Sequence, residues 1–143
     1  MKMIIKYFTT LLLLTLFIDG VTAQEKAPEA VRKTFAEKYP GENDPDWHKD
    51  SNGNYESNFK IDGESLRADF SPNGKWIETE RSIKKDDLPK LVKDVINKYY
   101  SGWEIAEIEE VDHHKKGRFY DVEFKQKGKN KDVEIKPDGT VIN

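Results

Sequence analysis

The residues with which this chain could do chemistry are three histidines and many carboxylates; it has no cysteine. His48 stands alone, while His113 and His114 are adjacent and run into Lys115 and Lys116. Neighbours on a strand point to opposite faces, so that pair cannot hold one ion without ligands from elsewhere. Asp50, Asn52 and Asn54 alternate like the opening of a calcium loop, which then needs Gly at its sixth place and Glu at its twelfth. Those places hold Tyr55 and Ile61, so the segment reads as a polar hairpin turn. No Ser lies in Gly-x-Ser-x-Gly, and neither His-Glu-x-x-His nor Gly-x-Gly-x-x-Gly occurs. Catalysis needs base, nucleophile and oxyanion donors gathered in one cleft. The sequence offers no such group, so no catalytic residue, cofactor or metal ligand is assigned, and the chain reads as non-enzymatic.

Binding is the chemistry left, and tryptophan is the residue type most enriched where partners grip. Trp103 opens a strand beside Ile105 and reads as core. Trp76 and Ile77 are neighbours, so only one can face inward. Ile77 matches a later isoleucine, Ile142, and is expected inward, which puts Trp76 on the open face. Trp47 follows Pro45-Asp46 at the start of a strand and is left open between the faces. Trp47 and Trp76 are therefore the candidate partner-binding residues.

These positions depend on the elements that carry them. Leu88, Leu91, Val92, Val95, Ile96 and Tyr99 recur at helical spacing. Asp86, Asp87 and Pro89 mark the start of that helix, and Gly102 is placed for a left-handed cap at its end. Ala27, Val31, Phe35 and Tyr39 make a thinner stripe, stopped by Pro40-Gly41. After each helix the period changes to two. Tyr55, Ser57, Phe59 and Ile61 alternate with polar residues, as do Leu66, Ala68 and Phe70; Tyr120, Val122 and Phe124; and Val133 and Ile135. That pattern predicts antiparallel strands with one buried and one wet face. Asn52-Gly53, Asp62-Gly63, Pro72-Asn73-Gly74, Lys127-Gly128 and Pro137-Asp138-Gly139 supply the turns. Ile105, Ala106, Ile108 and Val111 alternate poorly, which suggests a bulge. Glu56, Asn58, Lys60, Arg67, Asp69, Asp121, Glu123, Lys125, Asp132, Glu134 and Lys136 should share the wet face, mixed in sign.

The pattern occurs twice. Tyr55, Phe59, Lys60, Gly63, Pro72, Gly74 and Ile77 return as Tyr120, Phe124, Lys125, Gly128, Pro137, Gly139 and Ile142, at one offset of 65 residues. Such self-similarity is the mark of a repeat architecture. The expected fold is α+β: two tandem helix-plus-four-strand repeats, about 27–81 and 86–143, forming a curved antiparallel sheet with both helices on one face. A unit that small is marginal alone, so one shared sheet is expected.

Lys2 and Lys6, the apolar run from Tyr7 to Ile18 and the small residues of Val21-Thr22-Ala23 give the pattern of a secretory signal peptide over 1–23. The run is short for a membrane span. The domain is then 24–143. Of 24 basic and 27 acidic residues, loss of Lys2, Lys6 and Asp19 leaves 22 and 26. Both signs are interspersed, which argues against nucleic acid, and no basic amphipathic segment points to a membrane surface after signal removal.

The Tyr39-Pro40 helix end, the aromatic strand from Tyr55 to Phe59, the following glycine and apolar strand, and the Pro-Asn/Asp-Gly turn before a final strand resemble the PepSY-like family of exported bacterial proteins. That family is also described as β-lactamase-inhibitor-like. The resemblance implies a tandem α+β repeat and, by analogy with inhibitor proteins, a partner held on the open sheet face and hairpin loops. It supplies no inhibitory residue, and the disulfides of those inhibitors have no counterpart here. The expected function is an exported, periplasmic or extracellular, non-enzymatic module that binds another envelope or secreted protein. The alternative is a small-ligand or metal-ion binding protein of the envelope. No oligomeric state is assigned.

Overall fold

The computed structural model describes residues 26–43 and 45–143. The segment read as a signal peptide lies outside them. Helix α1 (Glu29–Lys38) is followed by β1 (Asp46–Lys49), β2 (Tyr55–Ile61), β3 (Glu64–Phe70) and β4 (Trp76–Ser82). A 3-10 turn at Lys85–Asp87 leads into α2 (Lys90–Tyr99), then β5 (Glu104–His113), β6 (Gly117–Gln126) and β7 (Lys129–Ile135). The strands form one antiparallel sheet in chain order, β1 to β7. The protein is α+β with an open sheet.

Both helices begin after a proline, Pro28 and Pro89, whose fixed φ suits a helix entrance. On α1, Val31 and Phe35 lie one turn apart and are buried. The Phe35 ring meets Trp47 and Phe59 edge-on at 5.3 and 5.0 Å. On α2 the buried pair is Val92 and Ile96, which pack with Ile108, Val122, Phe124, Val133 and Ile135. The α2 stripe is narrower than its periodicity predicts. Leu91 and Tyr99 are exposed, and Tyr100, just past the helix, stacks on Phe124 at 4.6 Å. Gly102 does not cap α2 in the left-handed conformation; the helix stops at Tyr100, whose N–H bonds the Ile96 carbonyl at 2.8 Å.

Cross-strand pairing fixes which face each helix covers. Ala68 lies opposite Thr79, Thr79 opposite Asp112 and Asp112 opposite Arg118. The inward side of β3 is therefore the inward side of β6, and α1 and α2 sit on the same face. The core beneath them is divided. One cluster joins α1 to β1, β2 and β3; the other joins α2 to β5, β6 and β7. Between them the inward side of β4 to β6 is polar. Arg81 pairs with Glu110 at 3.0 Å and Glu64 at 3.2 Å. Arg118 grips Asp112 with two nitrogens at 2.9 and 2.8 Å.

The periodicity predicts four strands after each helix, but only three follow α2. Beyond β7 the chain makes a single bridge, Ile135 to Val141. The turn closes tightly, with Gly139 N–H on the Lys136 carbonyl and Lys136 N–H on the Thr140 carbonyl, both at 2.8 Å. Glu134 N–H then bonds the Asn143 side chain at 2.7 Å, so a side-chain oxygen holds the place that a strand carbonyl would fill.

The two Pro-x-Gly turns rest on the helices. Gly74 has φ +84°, and a Cβ there would lie 2.6 Å from the Ala30 carbonyl oxygen of α1. At Gly139, φ +86°, the nearest atoms of Leu91 and Val95 would be 3.4 Å away. Gly74→Ala is expected to cost well over about 1 kcal/mol, because α1 must move and the conformation disfavours a side chain. Gly139→Ala should cost less. Urea unfolding of the two variants gives the order; an equal loss would show that the approach to Ala30 is not what requires the glycine.

Candidate functional site

Among the described residues no helix covers the opposite face of the sheet, and the pairing arranges its side chains in rows across the strands. One row runs Glu56, Asp69, Glu78 and His113 from β2 to β5. The next runs Asn58, Arg67, Glu80, Val111 and Phe119. A third runs Ser82, Glu109, Asp121 and Glu134, and a fourth Glu107, Glu123 and Asp132. Like charges directly opposite each other destabilise a sheet. Three of these four rows set carboxylate against carboxylate.

The sequence reading missed this field. The alternation puts Glu56, Asp69, Asp121, Glu123, Asp132 and Glu134 on the open face, mixed in sign with Lys60, Arg67, Lys125 and Lys136, and does not include Glu78, Glu80, Glu107 and Glu109. Those four come from β4 and β5, the strands whose alternation is broken. The register shifts between Asp69 and Phe70 where β3 meets β4, and between Ile105 and Glu107 where β5 meets β6. A one-residue shift turns every later side chain to the other face. The signal was in the sequence: Glu107, Glu109 and Val111 alternate with Ile108 and Glu110 once the bulge is placed before Glu107.

The other irregularity, where β3 meets β4, corrects the position of Trp76. Trp76 lies opposite Phe70, on the helix-bearing face, not on the open face. Its ring sits under Lys38 Nζ at 3.5 Å, and its indole N–H donates to Thr79 Oγ1 at 3.0 Å. Ile77, expected inward, is the residue left over in the bulge; its carbonyl accepts the His114 N–H at 2.9 Å. Trp47 is buried with the α1 cluster. Trp103 packs, half-buried, against the α2 cluster.

Few cations answer the carboxylates. Arg67 reaches Glu80 in a close ion pair and Glu109 at 3.8 Å. Lys116, from the turn between β5 and β6, reaches both Glu134 oxygens at 2.6 Å, with its ammonium 5.1 Å from the Phe119 ring. Val111 and Phe119 are buried on this face, Phe119 beside the Lys116 ammonium. Lys125 meets Glu123 at 3.4 Å. Among the described residues, Asp69 and Glu78 make no ion pair, and Asp121 Oδ1 is buried with no hydrogen-bond partner.

The crowding is visible in proton affinity. Burial, then the facing Glu78, push the Asp69 carboxyl up to about 6 against the pull of Arg67. Burial likewise raises Glu109, with Glu107, Asp121 and Glu78 adding to it. Asp121 is raised by burial and then by Asp132 and Glu134. His113 is held below its ordinary value, first by burial. Its Nδ1 accepts the Lys115 and Lys116 N–H groups at 3.0 and 3.1 Å. His114 is in the turn, so the two rings stack at 4.6 Å instead of pointing apart as strand neighbours would.

Asp69, Glu78 and Glu80 bring carboxylate oxygens within 4.8 Å of one another, a set that could ligate a hard cation. Arg67 already occupies Glu80, and its charge opposes an ion there. Asp50, Asn52 and Asn54 form the polar turn expected of them. Asp50 Oδ1 accepts the Asn52 and Asn54 N–H groups at 2.8 Å, so this oxygen is spent within the turn.

The family described as "Putative beta-lactamase-inhibitor-like, PepSY-like" matches residues 53–143, more than half of the chain. Similar solved structures come from Bacteroides. A DUF2874 family protein of Bacteroides ovatus has 23% identity and TM-score 0.74, over 83% of this chain and 86% of that one. A BLIP-like protein of Bacteroides fragilis has 19% identity and TM-score 0.73, over 85% and 87%. A structure from Bacteroides eggerthii titled "putative periplasmic proteins" has 18% identity and TM-score 0.73, over 82% and 87%. At these identities the likeness is one of fold. No curated protein matches the sequence.

The raised Asp69 carboxyl has a consequence for stability. Its charge is less favourable folded than unfolded, so its contribution to stability falls as pH rises from about 4 through about 6. Asp69→Asn is therefore expected to be more stable than the native protein at pH 8, on the order of 1 kcal/mol once exposure is allowed for. The advantage should vanish near pH 4. Thermal melts at both pH values check it, and a difference independent of pH would mean that the field is not what Asp69 feels.

Proposed function

Because the chain belongs to the PepSY-like family, we propose that it is an exported, non-enzymatic module that binds another protein of the cell envelope or its surroundings through the open face of its sheet. The observation that carries this reading is the set of opposed carboxylate rows. A sheet that needed only to fold would not set like charges against each other on neighbouring strands. Rule-breaking of this kind is expected where a surface serves a function. The β-lactamase-inhibitor-like description and the BLIP-like B. fragilis neighbour agree with a protein-binding role.

The non-enzymatic part of the reading rests on how the polar groups are placed. His113 and His114 are tied to backbone, and the carboxylates spread across strands instead of converging on a cleft. Export is supported by the signal-peptide pattern of residues 1–23 and by the periplasmic description of the B. eggerthii neighbour. No helix of the described residues is long and apolar enough to cross a membrane. A single domain over 24–143, built of two repeats, is supported by the Gly74 and Gly139 turns, which rest on α1 and α2 respectively.

Small-ligand binding has weaker support. A hollow of about 700 Å³ beside Arg81 is lined by Glu64, Ser65, Ser82, Ile83, Lys84 and Asp87 as well. Ligand pockets are lined mostly by hydrophobic and aromatic side chains, and Ile83 is the one apolar side chain lining this hollow.

The test is capture of partners from envelope extract by the exported protein and by a Glu107→Lys, Glu123→Lys variant, read by mass spectrometry. A protein held by the native face and lost from the variant is the expected result. Partners captured equally by both would place binding elsewhere. The metal reading predicts that calcium raises the melting temperature by mass action; no shift at millimolar calcium is expected here.

A further inference from the structure

We propose that the occupant of the open face is a segment of a partner protein rich in arginine and lysine, whose cations lie between the opposed carboxylate rows. This rests on the reading of that face as the binding surface and adds the chemistry of what it holds.

Charge complementarity is the first ground. The excess negative charge spreads from Asp69 and Glu78 on β3 and β4 to Glu109 and Asp121 on β5 and β6. Neighbouring strands are about 4.8 Å apart, so the field covers more than about 10 Å. One small ion cannot meet all of it, whereas a chain with several cations can. The second ground is Arg67, a guanidinium of this chain already lying on the face between Glu80 and Glu109. It reaches both through one nitrogen, Nη2, which shows that the face accepts a guanidinium. A planar donor fork suits carboxylates presented side by side.

The third ground is the unfinished bonding. Asp121 Oδ1 is buried and has no hydrogen-bond partner among the described residues, although Asp121 faces Glu109 on one side and Glu134 on the other. A buried acceptor without a donor is costly, and a cationic donor from outside would relieve it. Lys116 shows the same solution one strand away, where it satisfies both oxygens of Glu134. An anionic partner such as a nucleic acid is repelled by the same field.

The test is NMR on the isotope-labelled exported protein with three short peptides: an Arg-Lys repeat, its Glu counterpart and a neutral Ser-Gly repeat. The Arg-Lys peptide should shift amides of β3 to β6 and weaken as salt is added. Glu109→Gln with Asp121→Asn should weaken it about tenfold, toward the low end of what close charge pairs contribute at interfaces. Equal shifts from the neutral or acidic peptide would overturn the inference while leaving the face a binding surface. No shift with the Arg-Lys peptide, shifts confined to the helix face, or shifts reproduced by calcium alone would also overturn it. Failure of the broader reading appears separately, as partner capture that ignores open-face charge reversals.

Discussion

Pairing between strands adjacent in the chain is the constraint from which the rest of this structure follows. Seven strands meet only their neighbours, and each pairing carries the sidedness of one strand to the next. Ala68, Thr79, Asp112 and Arg118 inherit one face in turn, and Arg67, Glu80, Val111 and Phe119 inherit the other. The helices need only reach one side, where Val31, Phe35, Val92 and Ile96 close the cores. What remains on the far side is decided by what faces what across a strand. That sidedness turns four glutamates on β4 and β5 from scattered surface residues into parts of a continuous field.

Much of this is legible in the residues. Strands β2, β3, β6 and β7 alternate cleanly, and their glycine turns mark the hairpins. Both helices start after prolines and carry apolar pairs one turn apart. The positions that misled are those where a local break outweighs the pattern. The bulge at Ile77 puts Trp76 inside the helix-bearing face, where Lys38 and Thr79 hold it. Likeness between Ile77 and Ile142 pointed the other way, but the segments differ in environment. Beyond Ile77, β4 pairs with both β3 and β5, whereas Ile142 follows a lone bridge with Asn143 beside it. Sequence likeness carries residue type across the two halves; hydrogen-bond partners set orientation, and they differ.

The face that looks most like a binding surface is also the least comfortable part of the sheet. Packing on the other side secures it: Phe70 and Phe124 are fully buried, and each such side chain contributes about 1.5–3 kcal/mol. Those gains let β3 and β6 hold Asp69 and Asp121 where their charges are disfavoured. The disfavoured charges thus stand on the side of the strands opposite the packing that secures them.

The polar seam between the two cores has a mechanical meaning. Among the described residues the buried apolar side chains beneath the helices fall into two separate clusters, and across β4 and β5 the inward contacts include ion pairs such as Arg81 with Glu110. Apolar packing resists any change of spacing, whereas ion pairs between long side chains re-form after small rotations. The β4–β5 line is therefore where apolar packing does least to fix the twist of the sheet. A rigid body lying across it would fix the twist between the halves, and one confined to a single half would leave that twist free.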